Sequence, residues 1–461
     1  MSVRPAYAPP NGVWDGLIWR RAAIPIVCAG CAFAAAFAVY GQHFLKVVYA
    51  LILAAAVVWM LRHRRRTDAL DPVLLFGLFY VLFVCGGPLV QPVFNSLEPR
   101  LDWLCIIGLG AFVAGAVFSD RCVAAPGVRH IRAPALTFVN TWDQRKTAVL
   151  VGLMAAAGSA LAAVFLHRVG GIPVLFEEMD KQRTEAMSGN VYFAEGIIVL
   201  LPQAALVALA SALHAGSRRA IWVSAALCLY ALAIMVLTGH RQPILYFALS
   251  VFLVISALTR GLRTWQALAL CALLAYGASA YAGLRAESLK QIGVTSWQVV
   301  RHVAAWEIYV VADNLRMVRE TFPRNEDYAL GRGYWMDISA VLPGPDETFG
   351  KWMTRKLHIP FEGGTIVSVN GELWVNFGPA GVVLGLFVLG AALRAVHLRF
   401  LYAANRSIYH LLLMVAFAAV ASGLPRSGIT SPLTVYVLPI MSILYLLNHF
   451  LRYRHATGAV A

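Results

Sequence analysis

The apolar positions of the chain are grouped into long, nearly uninterrupted runs separated by short polar stretches. Twelve runs are long enough to cross a bilayer, whose hydrocarbon core takes about 20 helical residues. They occupy residues 22–40, 46–62, 72–90, 101–119, 147–166, 196–214, 220–238, 242–258, 266–284, 377–396, 408–423 and 432–450. The pattern predicts an all-α protein: a polytopic transmembrane helical bundle of about 12 spans that forms a single integral membrane domain over residues 1–461.

On one side of the predicted membrane, two of the polar stretches are longer than a turn. Residues 167–195 form the shorter loop and residues 285–376 the longer one. The longer loop contains an amphipathic helix with a candidate N-cap at Ser296 and a terminating Pro323. Its apolar face comprises Val300, Val303, Val311, Leu315, Val318 and Phe322. We expect this helix to lie on the bilayer or on the bundle, where it either closes the fold or gates a substrate.

Composition supports a membrane location for the whole chain. Sixty per cent of the residues are apolar, 13% are charged and the mean hydropathy is +0.69, which excludes a soluble globular domain. The first run has no small-residue cleavage site after it, so we expect a retained span rather than a signal peptide. The seven cysteines lie in apolar runs or, for Cys122, in a basic loop, and they predict no disulfide framework.

The placement of charge decides what the net charge of +15 means. One side of the predicted bundle holds 21 of the 38 cations but only 5 of the 23 carboxylates, whereas the other side is nearly neutral. Basic loops face the cytoplasm in membrane proteins. Both termini are therefore predicted to be cytoplasmic, and the basic excess is explained without nucleic acid as a partner.

Four arginines from separate loops on the nearly neutral side are candidate anion-binding residues. They are Arg183, Arg241, Arg285 and Arg426. A guanidinium group forms paired hydrogen bonds to phosphate oxygens and stays charged at any relevant pH, so converging arginines could hold a diphosphate. The structural alternative is that each arginine pairs with a nearby carboxylate. For Arg241 and Arg426, which lie at the mouths of spans with few adjacent carboxylates, the two interpretations carry equal weight.

Carboxylates on the same side are candidates for activating a hydroxyl group. Glu372 comes just before the tenth predicted span, where it would also stabilise a helix start. The acidic cluster Glu177, Glu178 and Asp180 is either a divalent cation site or a flexible acidic loop. The histidines lack the spacing of a zinc site, and the chain has no Gly-rich phosphate loop and no serine nucleophile elbow. Because flexible acidic loops are common, we expect neither a metal ion nor a cofactor.

Three segments, taken together, resemble a known family. They are GGIPVLF at 170–176 with Arg183 after it, TGHRQP at 238–243, and GGTIVSVNGELWVNFGPAGVV at 363–383. Their order and spacing within a twelve-span bundle resemble the O-antigen polymerase (Wzy-type) family of oligosaccharide repeat-unit polymerases. The resemblance covers roughly residues 150–440.

The resemblance implies a lipid-linked glycosyltransferase fold of the GT-C-like type and a metal-independent, inverting reaction. The family moves a growing glycan from undecaprenyl pyrophosphate to the non-reducing end of a new lipid-linked unit, in O-antigen, capsule or exopolysaccharide biosynthesis. Arg183 and Arg241, with Arg285 and Arg426, would bind pyrophosphate, and Glu372 would assist the acceptor hydroxyl. The implied setting is the bacterial inner membrane with the site facing the periplasm. The implied partners are membrane lipids, a chain-length regulator and a flippase.

Three other functions remain open at the level of sequence. An O-antigen ligase uses the same donor and topology but transfers the glycan to a lipid A core. A transferase with single-sugar polyprenyl-phosphate donors usually carries acidic residues in its first external loop, which here reads YGQHFLK. A transporter of lipid-linked oligosaccharide usually shows internal repeats and charges at mid-membrane, whereas this chain keeps its charges at span ends.

Overall fold

The structure is a computed structural model of the 461-residue chain. It describes residues 70–87, 103–122, 138–171, 196–237, 241–259, 296–339, 347–359, 364–365, 367–403 and 406–451, with residues 241 and 296–304 described by their backbone alone. The predicted spans at 22–40, 46–62 and 266–284 lie outside these ranges. All described residues belong to one unit of the chain, Met60–Ala461.

The described residues are almost entirely helical. Their helices, numbered in chain order, are α1 Pro72–Cys85, α2 Trp103–Cys122, α3 Gln144–Val169, α4 Gly196–Ala215, α5 Arg218–Leu237, α6 Arg241–Leu258, α7 Ser296–Thr321, α8 Arg332–Ser339, α9 Phe349–Lys356, α10 Val369–Tyr402, α11 Ile408–Ser427 and α12 Thr430–Leu451. Short π-helical stretches end α1, begin α4 and interrupt α12. The all-α prediction is confirmed for the described part of the chain.

Nine of these helices coincide with predicted spans. Seven of them, namely α2, α3, α4, α5, α10, α11 and α12, are long and apolar enough to cross a membrane, and α1 and α6 are shorter apolar helices. The chain is therefore a membrane protein with transmembrane helices. The total of 12 spans and the GT-C-like topology stay predictions.

The core of the bundle is centred on α11. Its apolar side chains are buried along most of its length, and so are those of α4. By contrast, α3 and α5 expose most of their apolar surface, as helices do when they face lipid. Ser407, the N-cap of α11, pairs through its backbone with Val139 in the segment before α3. Ser427, at the other end of α11, accepts from Gln242 in the first turn of α6.

Glycine allows α2 and α10 to pack with their backbones in close contact. A Cβ atom at Gly115 would overlap the carbonyl oxygen of Phe387, and one at Gly390 would overlap that of Phe112. Small residues at such crossings let transmembrane helices gain van der Waals contact, since the hydrophobic effect does not drive association in lipid. Helices α2 and α10 therefore form a closely packed pair.

Helix α10 begins earlier than the sequence predicts. Its predicted span starts at residue 377 and the large loop was expected to run to residue 376, but the helix starts at Val369, with Ser368 as its N-cap. It bends at Gly378, whose φ of +67° is accessible to glycine, and Pro379 follows. The first turns were assigned to the loop because Asn370, Glu372 and Asn376 interrupt the apolar pattern. In the structure these polar side chains are buried with partners.

The predicted amphipathic helix is α7. It starts at Ser296 and ends at Thr321, and the predicted apolar residues Val311, Leu315 and Val318 are buried. Phe322, just after the helix, is also fully buried and packs on Trp352 of α9. Helix α7 packs against α10 and the end of α1, so this part of it lies on the bundle.

Charged side chains hold helices together at the end of the bundle where α1 begins and α2 ends. The Nε atom of Arg394 donates to Oδ1 of Asp120 at 2.6 Å, which links α10 to α2. Asp71 caps α1 by accepting from the amide of Val73 at 2.9 Å and also lies 3.4 Å from Nδ1 of His397. Asp71 and His397 are fully buried, and Nη1 of Arg394 lies 3.8 Å from Oδ2 of Asp71, so the charge of this carboxylate is compensated inside the protein rather than by water.

Candidate functional site

The candidate site lies at one end of the bundle, where the TGHRQP segment, the end of α11 and the residues around Glu372 come together. The side-chain amide of Gln242, in the TGHRQP segment, donates to the hydroxyl of Ser427 at 2.8 Å. Ser427 ends α11 and is adjacent to Arg426, while Gln242 is adjacent to Arg241. Two arginines that are 185 positions apart in sequence therefore lie on neighbouring helix ends.

Arg241 is the first residue of α6, and its side chain is outside the described atoms. The next residue, Gln242, also lies 2.5 Å from the hydroxyl of Tyr246 one turn later. Tyr246 is buried and its ring packs edge-on against Tyr436 of α12. The start of α6 is thus held to α11 by the Gln242–Ser427 hydrogen bond and to α12 by the packing of Tyr246 on Tyr436.

Arg426 lies in the last turn of α11, and its guanidinium is bound by a carboxylate of the amphipathic helix. Its NH2 atom lies 2.5 Å from Oε2 of Glu307 in α7. The two side chains are 22% and 28% exposed, so the pair borders on solvent rather than lying in the core. Of the two interpretations of Arg426 left open by the sequence, the structure contains the carboxylate pairing. Glu307 was not predicted, because it is 119 residues away and no local pattern marks it.

Glu372 connects the first turn of α10 to the first turn of α12. Its carboxylate accepts from the backbone amide of Ile429, from the amide of Thr430 at 3.3 Å and from the hydroxyl of Thr430 at 2.6 Å. The amides at a helix N-terminus lack partners in their own helix and carry partial positive charge, so they bind a carboxylate favourably. A side chain at Gly428 would overlap Oε2 of Glu372, which explains why the turn before α12 contains glycine.

The polar residues on either side of Glu372 fasten two further helices to the same place. Asn376 donates to the carbonyl of Glu372 at 2.8 Å, and its Oδ1 accepts from the amides of Gly331 and Gly333 at 3.0 and 3.3 Å. Asn370 accepts from the hydroxyl of Tyr80 at 2.9 Å. Both asparagines are fully buried, and the segment NGELWVN therefore joins α1, α8, α10 and α12.

A second buried carboxylate, Asp337 in α8, lies close enough to Glu372 for the two to interact electrostatically. Burial raises the pKa of Asp337 to about 6, against the lowering effect of the hydrogen bond that it accepts from the amide of Phe349 at 2.9 Å. Burial, together with the Glu372 carboxylate, raises the pKa of Tyr334 in the same helix. Sequence reasoning missed Asp337, since a single acidic residue in a polar loop carries no signal of burial.

The remaining residues that the sequence predicted for the site lie outside the part of the chain that the structure describes. Arg183, Arg285 and the acidic cluster Glu177, Glu178 and Asp180 all lie outside the described residues. Within the described ranges, histidine, cysteine, aspartate and glutamate form no group of three that could hold a metal ion. The expectation of a metal-independent site stays a prediction.

Comparison with known proteins identifies no relative of this chain. No family model matches the chain, and no curated protein or solved structure does so either. The geometry of the site and the motif resemblance are therefore the remaining guides to function.

The arrangement favours two different tasks for its charged groups. Arg426 borders on solvent and is paired with a carboxylate that an incoming anion could replace, as phosphate oxygens offer the same paired acceptors. Glu372 is only 2% exposed, and both of its oxygens accept hydrogen bonds from the start of α12. In this conformation Glu372 positions the turn that follows Arg426.

Proposed function

We propose that this chain is a polymerase of undecaprenyl-pyrophosphate-linked oligosaccharide repeat units. The observation that carries the proposal is the hydrogen bond between Gln242 and Ser427. It supports a shared binding region for Arg241 and Arg426 at the end of an apolar bundle, where a lipid-linked diphosphate would lie. The motif resemblance supplies the reaction, and Arg183 and Arg285 complete the proposed set of pyrophosphate-binding arginines.

The proposed reaction forms one glycosidic bond and breaks one sugar–phosphate bond. A hydroxyl oxygen at the non-reducing end of the new unit attacks the anomeric carbon of the growing glycan, from the face opposite the diphosphate. The bond from that carbon to the diphosphate oxygen breaks, and undecaprenyl diphosphate leaves with both electrons of the bond. Cleavage of the sugar–diphosphate bond supplies the driving force in place of ATP, and arginine charge stabilises the departing diphosphate in place of a metal ion.

The proton of the acceptor hydroxyl must leave during the attack, and the resemblance assigns this role to Glu372. The burial of Glu372 and its bonds to Ile429 and Thr430 favour a positioning role instead. Under the positioning role, Glu372 holds the turn between α11 and α12, and with it Arg426. The two roles make different predictions for variants of Thr430, which are given in the Discussion.

In the cell, the proposed enzyme is in the bacterial inner membrane with both termini in the cytoplasm. The site then faces the periplasm, where a flippase delivers lipid-linked units and a chain-length regulator acts on the product. The repeat unit belongs to an O-antigen, a capsule or an exopolysaccharide.

The proposal is tested by reconstituting the protein in liposomes with lipid-linked repeat units. The units are prepared from cells in which the gene for this chain is deleted, and neither metal nor nucleotide is added. Glycans are then resolved by size. We expect a ladder of multiples with the wild type, and its collapse to single units with Arg241→Ala, since loss of one charge-stabilising donor lowers turnover by roughly 100-fold or more.

Arg316→Ala is the matched control. Arg316 is an exposed arginine of α7 that pairs with Asp313 at 2.8 Å, and it has no place in the proposed site. We expect this variant to keep the ladder. Single units with a correctly folded wild type would overturn the proposal, and an equal loss in both variants would show that the loss is not specific to the site.

A further inference from the structure

An exposed apolar patch lies beside the first turns of α10. Its large side chains are Leu330, Trp335, Ile338 and Phe377, which are 76%, 64%, 43% and 45% exposed. Trp335 and Ile338 share the exposed face of α8, and the ring of Tyr334, adjacent to Trp335, packs at 6.1 Å from that of Phe377. The amide of Leu330 also donates to the carbonyl of Asn376 at 3.1 Å. Exposed apolar clusters of this kind mark an interaction surface. We call these four residues the α8 patch.

The α8 patch continues a stripe of α10 that faces lipid. After the bend at Gly378, exposed positions along α10 recur every four residues at Ala380, Leu384, Val388 and Ala392. Phe377 stays beside this stretch, since a Cβ atom at Gly381 would overlap the Cβ atom of Phe377. Leu384 and Val388 are 65% and 63% exposed on a helix that is apolar enough to span the membrane. Such a stripe is in contact with hydrocarbon. The patch therefore lies where this hydrocarbon contact ends, at the level of the interface.

Backbone conformation gives a second reason to look for a partner of Leu330. Its φ is +45°, a left-handed conformation that is unfavourable for leucine, and its side chain is nevertheless the most exposed of the patch. Hydrogen bonds hold it there: the amides of Ala329 and Gly331 donate to Val375 and to the side chain of Asn376 at 2.8 and 3.0 Å. In an apolar surrounding, the leucine side chain that the backbone holds outward would be removed from water.

We propose that the α8 patch is an interfacial anchor that inserts into the acyl–headgroup boundary of the bilayer. Tryptophan prefers this level of the membrane, because its ring is apolar and its N–H can meet water. Arg332, exposed in the first turn of the same short helix, would contact lipid phosphates. A second protein copy is the other candidate occupant, but the continuity with the α10 stripe favours lipid.

The anchor couples the membrane surface to the candidate site through one helix. The same α8 that presents Trp335 outward buries Asp337 on its other face and is tied to Asn376 through Gly333. The bilayer would thus hold α8 against the segment that contains Glu372. This inference does not depend on the proposed reaction, since it concerns where the helix lies rather than what the site binds.

The anchor is tested by measuring the depth of spin labels in liposomes of phosphatidylcholine and phosphatidylglycerol. All seven native cysteines are first replaced, and single cysteines are then introduced by Trp335→Cys or Ile338→Cys and labelled with a nitroxide. Leu384→Cys is the lipid-facing control, and Asn325→Cys, in an exposed turn, is the aqueous control. We expect both α8 labels to collide with oxygen in preference to a water-soluble nickel chelate, as the label at 384 does. Collision with nickel as at 325 would overturn the proposal, and so would shielding from both reagents, which indicates a protein partner.

A second measurement needs no cysteine and covers the case in which the labelled variants fail to fold. Brominated phosphatidylcholine quenches tryptophans that touch the acyl region, and Trp335→Phe removes one of the twelve. The contribution of one tryptophan is the difference in fluorescence between the wild type and the variant that lacks it. We expect brominated lipid to quench the contribution of Trp335 as strongly as that of Trp222, which is 77% exposed on the span α5 and is removed by Trp222→Phe. Fluorescence at Trp335 that is quenched by acrylamide but not by brominated lipid would contradict the anchor.

Discussion

At the scale of single residues, the contacts show different partners for charged residues that the sequence assigned to one site. The sequence pointed to Arg241, Arg426 and Glu372 because charges at span ends are unusual. It could not show that Arg426 meets Glu307, or that Glu372 meets Thr430, since these pairs are 119 and 58 residues apart. Their partners come from folding and not from local sequence. Glu372 is the residue whose predicted role changes most, because its oxygens are occupied by the start of α12.

The positioning role of Glu372 predicts that Thr430→Val imitates Glu372→Gln. Both variants weaken the contact between α10 and α12, and a hydrogen bond to a charged group contributes about 1.5–3 kcal/mol. We expect lower thermal stability in detergent for each variant, with little further loss in the double variant, because both act on one contact.

Thr434→Val is the control for this experiment. Thr434 is a buried threonine one turn later in α12, and its hydroxyl donates to the carbonyls of Thr430 and Ser431 rather than to Glu372. We expect its effect to add to that of Glu372→Gln. If Glu372→Gln lost turnover at unchanged thermal stability, and Thr430→Val had no effect on either, Glu372 would be the base and the positioning role would be wrong.

At the scale of helices, the apolar pattern located elements well and their polar ends less well. The predicted spans at 196–214 and 408–423 correspond to α4 and α11 within a few residues, because continuous apolar runs leave little choice of register in a bilayer. The amphipathic pattern also gave α7 correctly. The start of α10 was placed eight residues late, since buried polar side chains look like loop residues until their partners are known. Close helix contacts through glycine were likewise invisible without the partner helix.

The α2–α10 contact predicts opposite effects for two glycines of the same helix. A Cβ at Gly115 would overlap the backbone of α10, whereas a Cβ at Gly110 would meet no atom within 4 Å. We expect Gly115→Ala to destabilise the protein by about 1–3 kcal/mol through overpacking. Gly110→Ala should be neutral, or stabilising by up to about 1 kcal/mol, because alanine favours helix. Thermal unfolding in detergent measures both variants, and equal melting temperatures would show that α2 and α10 do not pack this closely.

At the scale of the whole molecule, the two ends of the bundle are chemically different. One end joins α1, α2 and α10 through Asp71, Asp120 and Arg394, in a compact charged contact. At the other end, the TGHRQP segment, Arg426 and the NGELW segment lie close together, and Arg426 contacts Glu307 of α7. Charge placement and motif order predicted that Arg241, Arg426 and Glu372 share one side of the membrane, and the contacts of Gln242, Ser427 and Glu372 place them at one end of the bundle. The sequence did not predict the charged contact at the other end. The residues outside the described ranges include Arg183 and Arg285, so their part in the site stays a prediction.

The central claim is that the chain joins lipid-linked units at the expense of the sugar–diphosphate bond. The most direct measurement is the amount of undecaprenyl diphosphate released by the reconstituted protein, compared with the number of glycan repeats joined. The account predicts one lipid diphosphate released for each bond formed, with every product still carrying one lipid diphosphate. Lipid diphosphate released only after addition of a lipid A core acceptor would identify a ligase. Intact units moved across the membrane without release would identify a transporter, and either result would contradict the account.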